Sequence, residues 1–254
     1  MITEQTVKAA FGEMVKTLYK KVFQRDITQE ELDTGFKNLF SRMSEDLKEI
    51  RGFSDSQFER YMTAKGNELL FSPTCIYDEI ARVINTGGED ELTHSGKYKK
   101  LREMELAARL CFANYKLREE TFLIKIQDSP DITLALAGSA SREIEILHVE
   151  IMTIPAIVKE KMETNLPIAI ADFIKDKKFL KDYGRCSLLI NFDFNHTGLD
   201  YTKISQAIQS APNNPYESIW IVFVSDQEGG MSVIQIHPKN FKVEYNLRKE
   251  KLFY

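Results

Sequence analysis

The chain has few cysteines and no long apolar run. Its 254 residues include 3 cysteines, at widely spaced positions. An odd number of cysteines, so far apart in the sequence, argues against a disulfide framework or a zinc knuckle. No apolar run approaches the roughly 20 residues that a membrane-spanning helix needs, and the N-terminal segment lacks the apolar core of a signal peptide. We therefore expect no membrane partner and a cytoplasmic location.

Several catalytic signatures are also missing. The sequence contains no P-loop, no Rossmann glycine fingerprint, no serine nucleophile elbow and no Cys–His signature. It lacks an excess of positive charge as well, since the formal net charge is -4. This charge argues against a protein that coats nucleic acid through bulk positive charge, and any basic groove would have to be locally concentrated.

The first part of the chain predicts helices. Apolar residues from Thr3 to about Gln24 fall on one stripe of a helix. Thr28 and Glu31 have the spacing of a capping box at the start of a second helix. Further helices are predicted over residues 54–70 and from Pro73 onward. Their amphipathic surfaces predict a protein partner or a homodimer contact.

Residues 86–96 are rich in turn formers and charge, and poor in bulky apolar side chains. This composition predicts a mobile loop or an internal boundary. The acidic triplet at 89–91 is better explained by a solvated loop than by a metal site. We therefore place a helical region at residues 1–90 and an α/β domain at residues 97–254.

The second half predicts a β-sheet with helices. Helical patterns cover residues 97–117, 155–183 and 201–211, and strand patterns cover residues 121–127, 131–137, 143–152, 186–194, 218–225 and 231–237. Several strands are apolar on both faces, which is typical of sheet-centre strands covered by helices. The fold class is therefore α/β (α+β), with a mixed sheet.

Two carboxylates on neighbouring predicted strands form the candidate site. A hairpin turn flanked by Gly138 and Glu143 places Asp131 opposite Glu150, with both side chains on one face. A slip of two residues would bring His148 opposite Asp131 instead. A carboxylate within a long apolar strand is costly to bury unless it is paired, so Glu150 predicts a functional site or a salt bridge.

This order of elements, with Ser129-Pro130-Asp131 at the head of the second strand, resembles the restriction endonuclease-like, or PD-(D/E)XK, superfamily. The resemblance implies a fold with an αβββαβ core. It also implies a function on nucleic acid, either as a metal-dependent nuclease or as a nucleic-acid-binding protein. It implies that Asp131 and Glu150 bind Mg²⁺ or Mn²⁺. A Lys two residues beyond the Glu would position or activate the attacking water, but Met152 occupies that place here.

The resemblance therefore requires a cation from a neighbouring element. The candidates are Lys125 on the preceding strand and Lys159 on the following helix. The family also often places a Glu on the first core helix near the metal, and we choose Glu105 over Glu103 as this third ligand. Positive charge at such a site would stabilise the negative charge that develops in the transition state.

Two other functions are compatible with the same residues. The missing Lys and the acidic net charge favour a non-catalytic relative of this fold that serves as an interaction or scaffold protein. A small-molecule enzyme would instead use His148 and Glu150 as an acid–base pair. No substrate-binding motif accompanies that pair, which makes this function the weakest of the three.

Two further groups of polar residues follow the third strand. Asp193 and His196 lie at the end of the next strand, where α/β sheets commonly place ligands, although loop polarity and helix capping explain them equally well. A basic cluster at residues 175–185 could bind phosphates. The solvated face of a helix is the simpler interpretation of that cluster.

Overall fold

The computed structural model describes residues 3–34, 54, 57–58, 70–126, 131–136, 146–161, 165–180, 184–196, 198–224 and 230–246. Most of the helix predicted at 54–70, the Ser129-Pro130 pair and the turn predicted between Gly138 and Glu143 lie outside the described residues. The chain divides into two compact units, Met1–Leu69 with Gly87–Leu101, and Leu70–Thr86 with Arg102–Tyr254. The segment from Pro73, which the sequence assigns to the helical region, is thus grouped with the sheet.

The predicted N-terminal helix is present as α1 (Glu4–Phe23). Its side chains Val7, Phe11 and Val15 are buried, as the apolar stripe predicts. The hydroxyl of Thr3 accepts a hydrogen bond from the backbone N–H of Thr6, and Gln24 ends the helix in the left-handed conformation. The amphipathic pattern and these two caps fix the bounds of α1.

The capping box predicted after α1 is also confirmed. Residues 29–34 are helical. The Glu31 N–H donates to the Thr28 hydroxyl at 3.2 Å, while the Thr28 N–H donates to Glu31 Oε2 at 2.8 Å. Arg25 forms a salt bridge with the same carboxylate at 2.5 Å. These contacts satisfy backbone donors that the first helical turn would otherwise leave unpaired.

Residues 89–94, predicted as part of a loop, instead form the short helix α3 (Glu89–His94), which follows α2 (Pro73–Gly87). Gly88 precedes α3 with φ at 83°, a value that favours glycine. The acidic triplet lies in the first turn of α3, where negative charge interacts favourably with the helix dipole. The loop prediction is wrong here because the acidic residues stabilise a helix start.

The second unit is built on one mixed β-sheet. The remaining helices are α4 (Lys99–Arg118), α5 (Ala156–Lys161), α6 (Leu166–Lys178) and α7 (Tyr201–Gln209). The strands are β1 (Phe122–Ile126), β2 (Ile132–Leu136), β3 (Ile146–Ile154), β4 (Cys186–Phe192), β5 (Ser218–Val224), β6 (Gly230–His237) and β7 (Phe241–Asn246). A mixed α/β architecture is therefore confirmed.

The strands lie in the sheet in chain order, β1 to β7. The β3–β4 and β4–β5 pairs are parallel, and the other pairs are antiparallel. The α5–α6 segment and α7 connect the parallel strands, as such crossovers require. Strand β7 is not predicted from the sequence, because its exposed Lys242 and Glu244 give it the composition of a surface segment.

Helices pack on both faces of this sheet. One face carries an apolar core that includes Ile170 and Ile174 of α6 and Leu188 of β4. The other face contacts α4, where the Tyr245 hydroxyl donates to the backbone carbonyl of Arg109 at 2.9 Å. Among the described residues, no helix combines the length and apolarity that crossing a membrane requires.

Candidate functional site

The register of β2 and β3 brings the two predicted carboxylates together. Ile132 pairs with Val149, and Thr133 pairs with His148, in an antiparallel ladder. The predicted register is therefore confirmed without a slip. Continuing it by one pair places Asp131 opposite Glu150, on the face that carries α5–α7.

Asp131 connects the head of β2 to β3. Its carboxylate Oδ2 accepts a hydrogen bond from the backbone N–H of Ile151 at 2.9 Å. The side chain remains partly exposed. A charged acceptor on a backbone donor makes a strong hydrogen bond, so this contact fixes Asp131 against the strand that carries Glu150.

Glu150 is nearly buried and is paired with a lysine. Its relative exposure is 8%, and its Oε1 lies 2.6 Å from Nζ of Lys178. Lys178 occupies the last turn of α6, on the same stripe as the buried Ile170 and Ile174, because positions four apart share a helix face. Helix α6 thus delivers an ammonium group to a carboxylate that could not be buried alone.

Lys178 is the site residue that the sequence interpretation missed. The sequence pattern places Lys178 with Lys175, Lys177 and their basic neighbours on a solvated helix face. Its spacing from the apolar Ile170 and Ile174 is the signal that could have separated it from that cluster. The Nζ of Lys178 therefore supplies positive charge directly beside the Glu150 carboxylate.

Cys186 interacts electrostatically with Asp131, Glu150 and Lys178. It pairs with His148 across the parallel β3–β4 ladder and is fully buried. Burial is the main reason that the pKa of Cys186 is raised to about 11, with smaller effects from Glu150, Asp131 and Lys178. The thiol, both carboxylates and the ammonium therefore share one electrostatic environment.

His148 and Lys125 lie two residue pairs along the sheet from the carboxylates. Thr133 pairs with Lys125 on one side and with His148 on the other. The Thr133 hydroxyl lies 3.4 Å from Nδ1 of His148. By strand alternation Lys125, Thr133 and His148 lie on the same face of the sheet as Asp131 and Glu150. Both residues thus border the carboxylate pair, and their catalytic roles remain predictions.

The other two predicted residues lie elsewhere. The Nζ of Lys159 contacts the backbone carbonyl of Asn195 at 3.4 Å, at the far end of α6 from Lys178. Glu105 forms a salt bridge with Arg109 on α4, the helix that contacts the opposite face of the sheet. The structure therefore does not bring Lys159 or Glu105 to the carboxylate pair.

The donor set limits which cation the site suits. Within the described ranges, no group of three or more His, Cys, Asp or Glu side chains is arranged to hold a metal ion. Asp131 and Glu150 together provide two carboxylates. Zinc sites usually require three or four protein ligands, whereas Mg²⁺ keeps several waters and is commonly held by one or two carboxylates plus substrate phosphates. The pair fits a hard, partly hydrated cation.

A second polar region lies at the end of β4, where the sequence marks Asp193 and His196. Nδ1 of His196 is 2.6 Å from the Tyr201 hydroxyl, and burial lowers the pKa of His196. Burial also raises the pKa of Tyr201 to about 12. His196 borders a cavity, whereas Asp193 is exposed.

Comparisons of this chain with protein-family models, with curated proteins and with solved structures gave no match. The side-chain geometry of Asp131, Glu150 and Lys178, and the order of the elements that carry them, are therefore the features that indicate a function.

Proposed function

We propose that this protein is a metal-dependent phosphodiesterase that acts on nucleic acid. The observation that carries the proposal is the placement of Asp131 and Glu150 on one face of adjacent strands, with Lys178 Nζ 2.6 Å from Glu150. The order of α4, three strands, the α5–α6 segment and β4 is the αβββαβ order that the family resemblance implies.

In this proposal the carboxylates of Asp131 and Glu150 would hold Mg²⁺ or Mn²⁺. Such a cation supplies the charge that polarises a phosphate and favours ionisation of water. The hydrogen bond from the Ile151 N–H orients Asp131, and the β2–β3 register orients Glu150. Lys178 adds an ammonium from α6 that compensates for Met152 and stabilises negative charge on the phosphate in the transition state.

The test is a cleavage assay on purified protein with single-stranded DNA, double-stranded DNA and RNA, in Mg²⁺ and in Mn²⁺. We expect Asp131→Asn to abolish cleavage, and Lys178→Met to lower it by about 100-fold, the effect of losing one electrostatic stabiliser. Lys175→Met is the matched control, because Lys175 lies on the same helix but pairs with Asp172. Cleavage that survives Asp131→Asn contradicts the proposal.

A second function is favoured by the same contacts. Lys178 pairs with Glu150, and the Ile151 N–H donates to Asp131, so groups of the protein itself already compensate both carboxylates. A non-catalytic interaction or scaffold protein on a related fold would keep such a network. A folded protein that cleaves none of the substrates and whose melting temperature does not change with Mn²⁺ supports this alternative.

A further inference from the structure

A cavity of about 310 Å³ opens at the carboxyl ends of β3 and β4. Its walls come from α5, the start of α6, and the segment between β4 and α7. Lys159, Asn165, His196, Asp200 and Lys203 provide its polar groups. The volume is at the lower end of the range for small-molecule sites. The start of α6 lies about 18 Å along the helix from Lys178, at ~1.5 Å per residue.

Two lysines give the cavity a positive rim. Nζ of Lys159 lies 5.7 Å from the centre of the Phe194 ring and contacts the Asn195 carbonyl. Lys203 stands in the first turn of α7 and lies 3.4 Å from Asp200, which caps that helix through the N–H groups of Thr202 and Lys203. Asp200 thus offsets one of the two ammonium charges, and a net positive charge remains.

His196 contributes a fixed hydrogen-bonding group to the same cavity. Its contact with the Tyr201 hydroxyl occupies Nδ1, and its ring packs against Phe192 and Phe223. With Nδ1 engaged, Nε2 is the ring nitrogen that remains for a ligand. An orientation held by a hydrogen bond and two aromatic rings costs little entropy on binding.

The start of α6 supplies backbone donors to the cavity. Helix α6 begins at Leu166 with Pro167 in its first turn, and that turn contains no acidic residue. The side chain of Asn165 makes no capping hydrogen bond to the helix. Pro167 has no N–H, so Leu166 and Ile168 carry the first-turn N–H groups that have no acceptor within a helix, and these two groups add to the anion preference that the lysines and His196 establish.

We propose that this cavity binds a small phosphate-bearing molecule. The two ammonium groups face its phosphate, His196 donates a hydrogen bond, and the start of α6 contributes backbone N–H groups. A phosphate fits this set better than a neutral ligand because every charged group except Asp200 favours negative charge. The inference does not depend on the proposed nuclease function, because none of these residues touches Asp131 or Glu150.

The experiment is calorimetric titration of the purified full chain with inorganic phosphate and with glycerol 3-phosphate, at constant ionic strength in EDTA. We expect saturable binding that the double variant Lys159→Ala/Lys203→Ala weakens at least tenfold. Lys177→Ala is the matched control, since Lys177 is an exposed lysine of α6 outside the cavity. His196→Gln should also weaken binding, whereas Asp131→Asn should not.

Two results would overturn the inference. One is a lack of saturable binding by folded wild-type protein. The other is an equal loss of affinity in Lys177→Ala and in the double variant, because that would indicate a diffuse response to total charge. Circular dichroism of each variant verifies that the fold is intact. Since EDTA removes divalent cations, a failure here leaves the metal-dependent proposal unaffected.

Discussion

Glu150 is the residue on which the candidate site depends. It interrupts the apolar strand β3, and its carboxylate would be destabilising at 8% exposure without a charged partner. Lys178 provides that partner across the interface between helix and sheet. Removing one member of a buried pair leaves the other charge unpaired, which costs far more than the pair itself contributes.

We therefore expect Lys178→Met to lower the free energy of unfolding by about 3 kcal/mol. The side chains of Lys178 and Glu150 are only 16% and 11% exposed, so solvent screens the pair weakly. Adding Glu150→Gln should recover much of the loss, because no unpaired charge then remains. Urea denaturation measures both changes. Lys175→Met, which breaks an exposed pair, should change stability by less than about 0.5 kcal/mol, and an equal effect there would contradict the interpretation.

Thiol reactivity provides a second test at the residue scale. Burial raises the pKa of Cys186 to about 11, and burial also raises the pKa of Cys111. Because only the thiolate reacts, about one thousandth of Cys186 would be reactive at pH 8. Cys75 is less buried. In native protein we expect one fast-reacting thiol, and three after denaturation; rapid labelling of Cys186 without unfolding would be inconsistent with its burial.

At the scale of elements, caps and apolar stripes account for several boundaries. Thr3 caps the start of α1 and Gln24 caps its end. The capping box of Thr28 and Glu31 begins the helical turn at residues 29–34. The same reasoning explains α3, whose acidic first turn outweighs a composition typical of loops. Local hydrogen bonds and charges near helix ends therefore decide these boundaries.

The capping box predicts an acid-dependent stability term. The hydrogen bond from Arg25 is the main reason that the pKa of Glu31 is lowered to about 2. Because the pKa of Glu31 is lower in the folded protein, its ionised carboxylate stabilises the folded state at pH values above 4.5, the ordinary pKa of the group. This stabilisation is lost as the pH falls from 4.5 toward 2. Glu31→Gln should remove this dependence and cost about 1 kcal/mol at pH 7. Urea denaturation at pH 7 and at pH 3 measures the free energy of unfolding of each protein. Glu30→Gln, which changes an exposed residue of the same helix, is the control. A Glu30→Gln variant that behaves like Glu31→Gln would contradict the assignment.

At the scale of the whole molecule, the sheet determines which residues meet. Strands β4 and β5 lie inside the strand order, with paired neighbours on both sides, whereas β7 is at one edge. The crossover through α5 and α6 positions Lys178 over β3, and the crossover through α7 closes the cavity near His196. One crossover helix, α6, thus serves the carboxylate site at its end and the cavity at its start.

Hydrogen exchange should reflect this arrangement. We expect backbone amides in β4 (Cys186–Phe192) and β5 (Ser218–Val224) to exchange most slowly in the second unit, because they are paired on both sides and largely buried. Amides of the edge strand β7 (Phe241–Asn246) should exchange faster. Mass spectrometry of peptides from these strands provides the measurement, and equal protection of β7 and β4 would contradict the expected stability gradient.

The sequence by itself determined the order of most elements, although not α3 or β7, and the face that each side chain of β2 and β3 occupies. Both follow from local periodicity, because alternation along a strand decides which face each side chain occupies. The pairing of Ile132 with Val149 also required the assumed turn between Gly138 and Glu143, because a slip of two residues keeps the same faces. Only the tertiary structure decided which amine reaches Glu150. Lys125, Lys159 and Lys178 are chemically alike, and the choice among them depends on how α6 packs across the sheet. The spacing of Lys178 from Ile170 and Ile174 places it on the buried face of α6, but the residue of the sheet that this face meets is a long-range property of the packing.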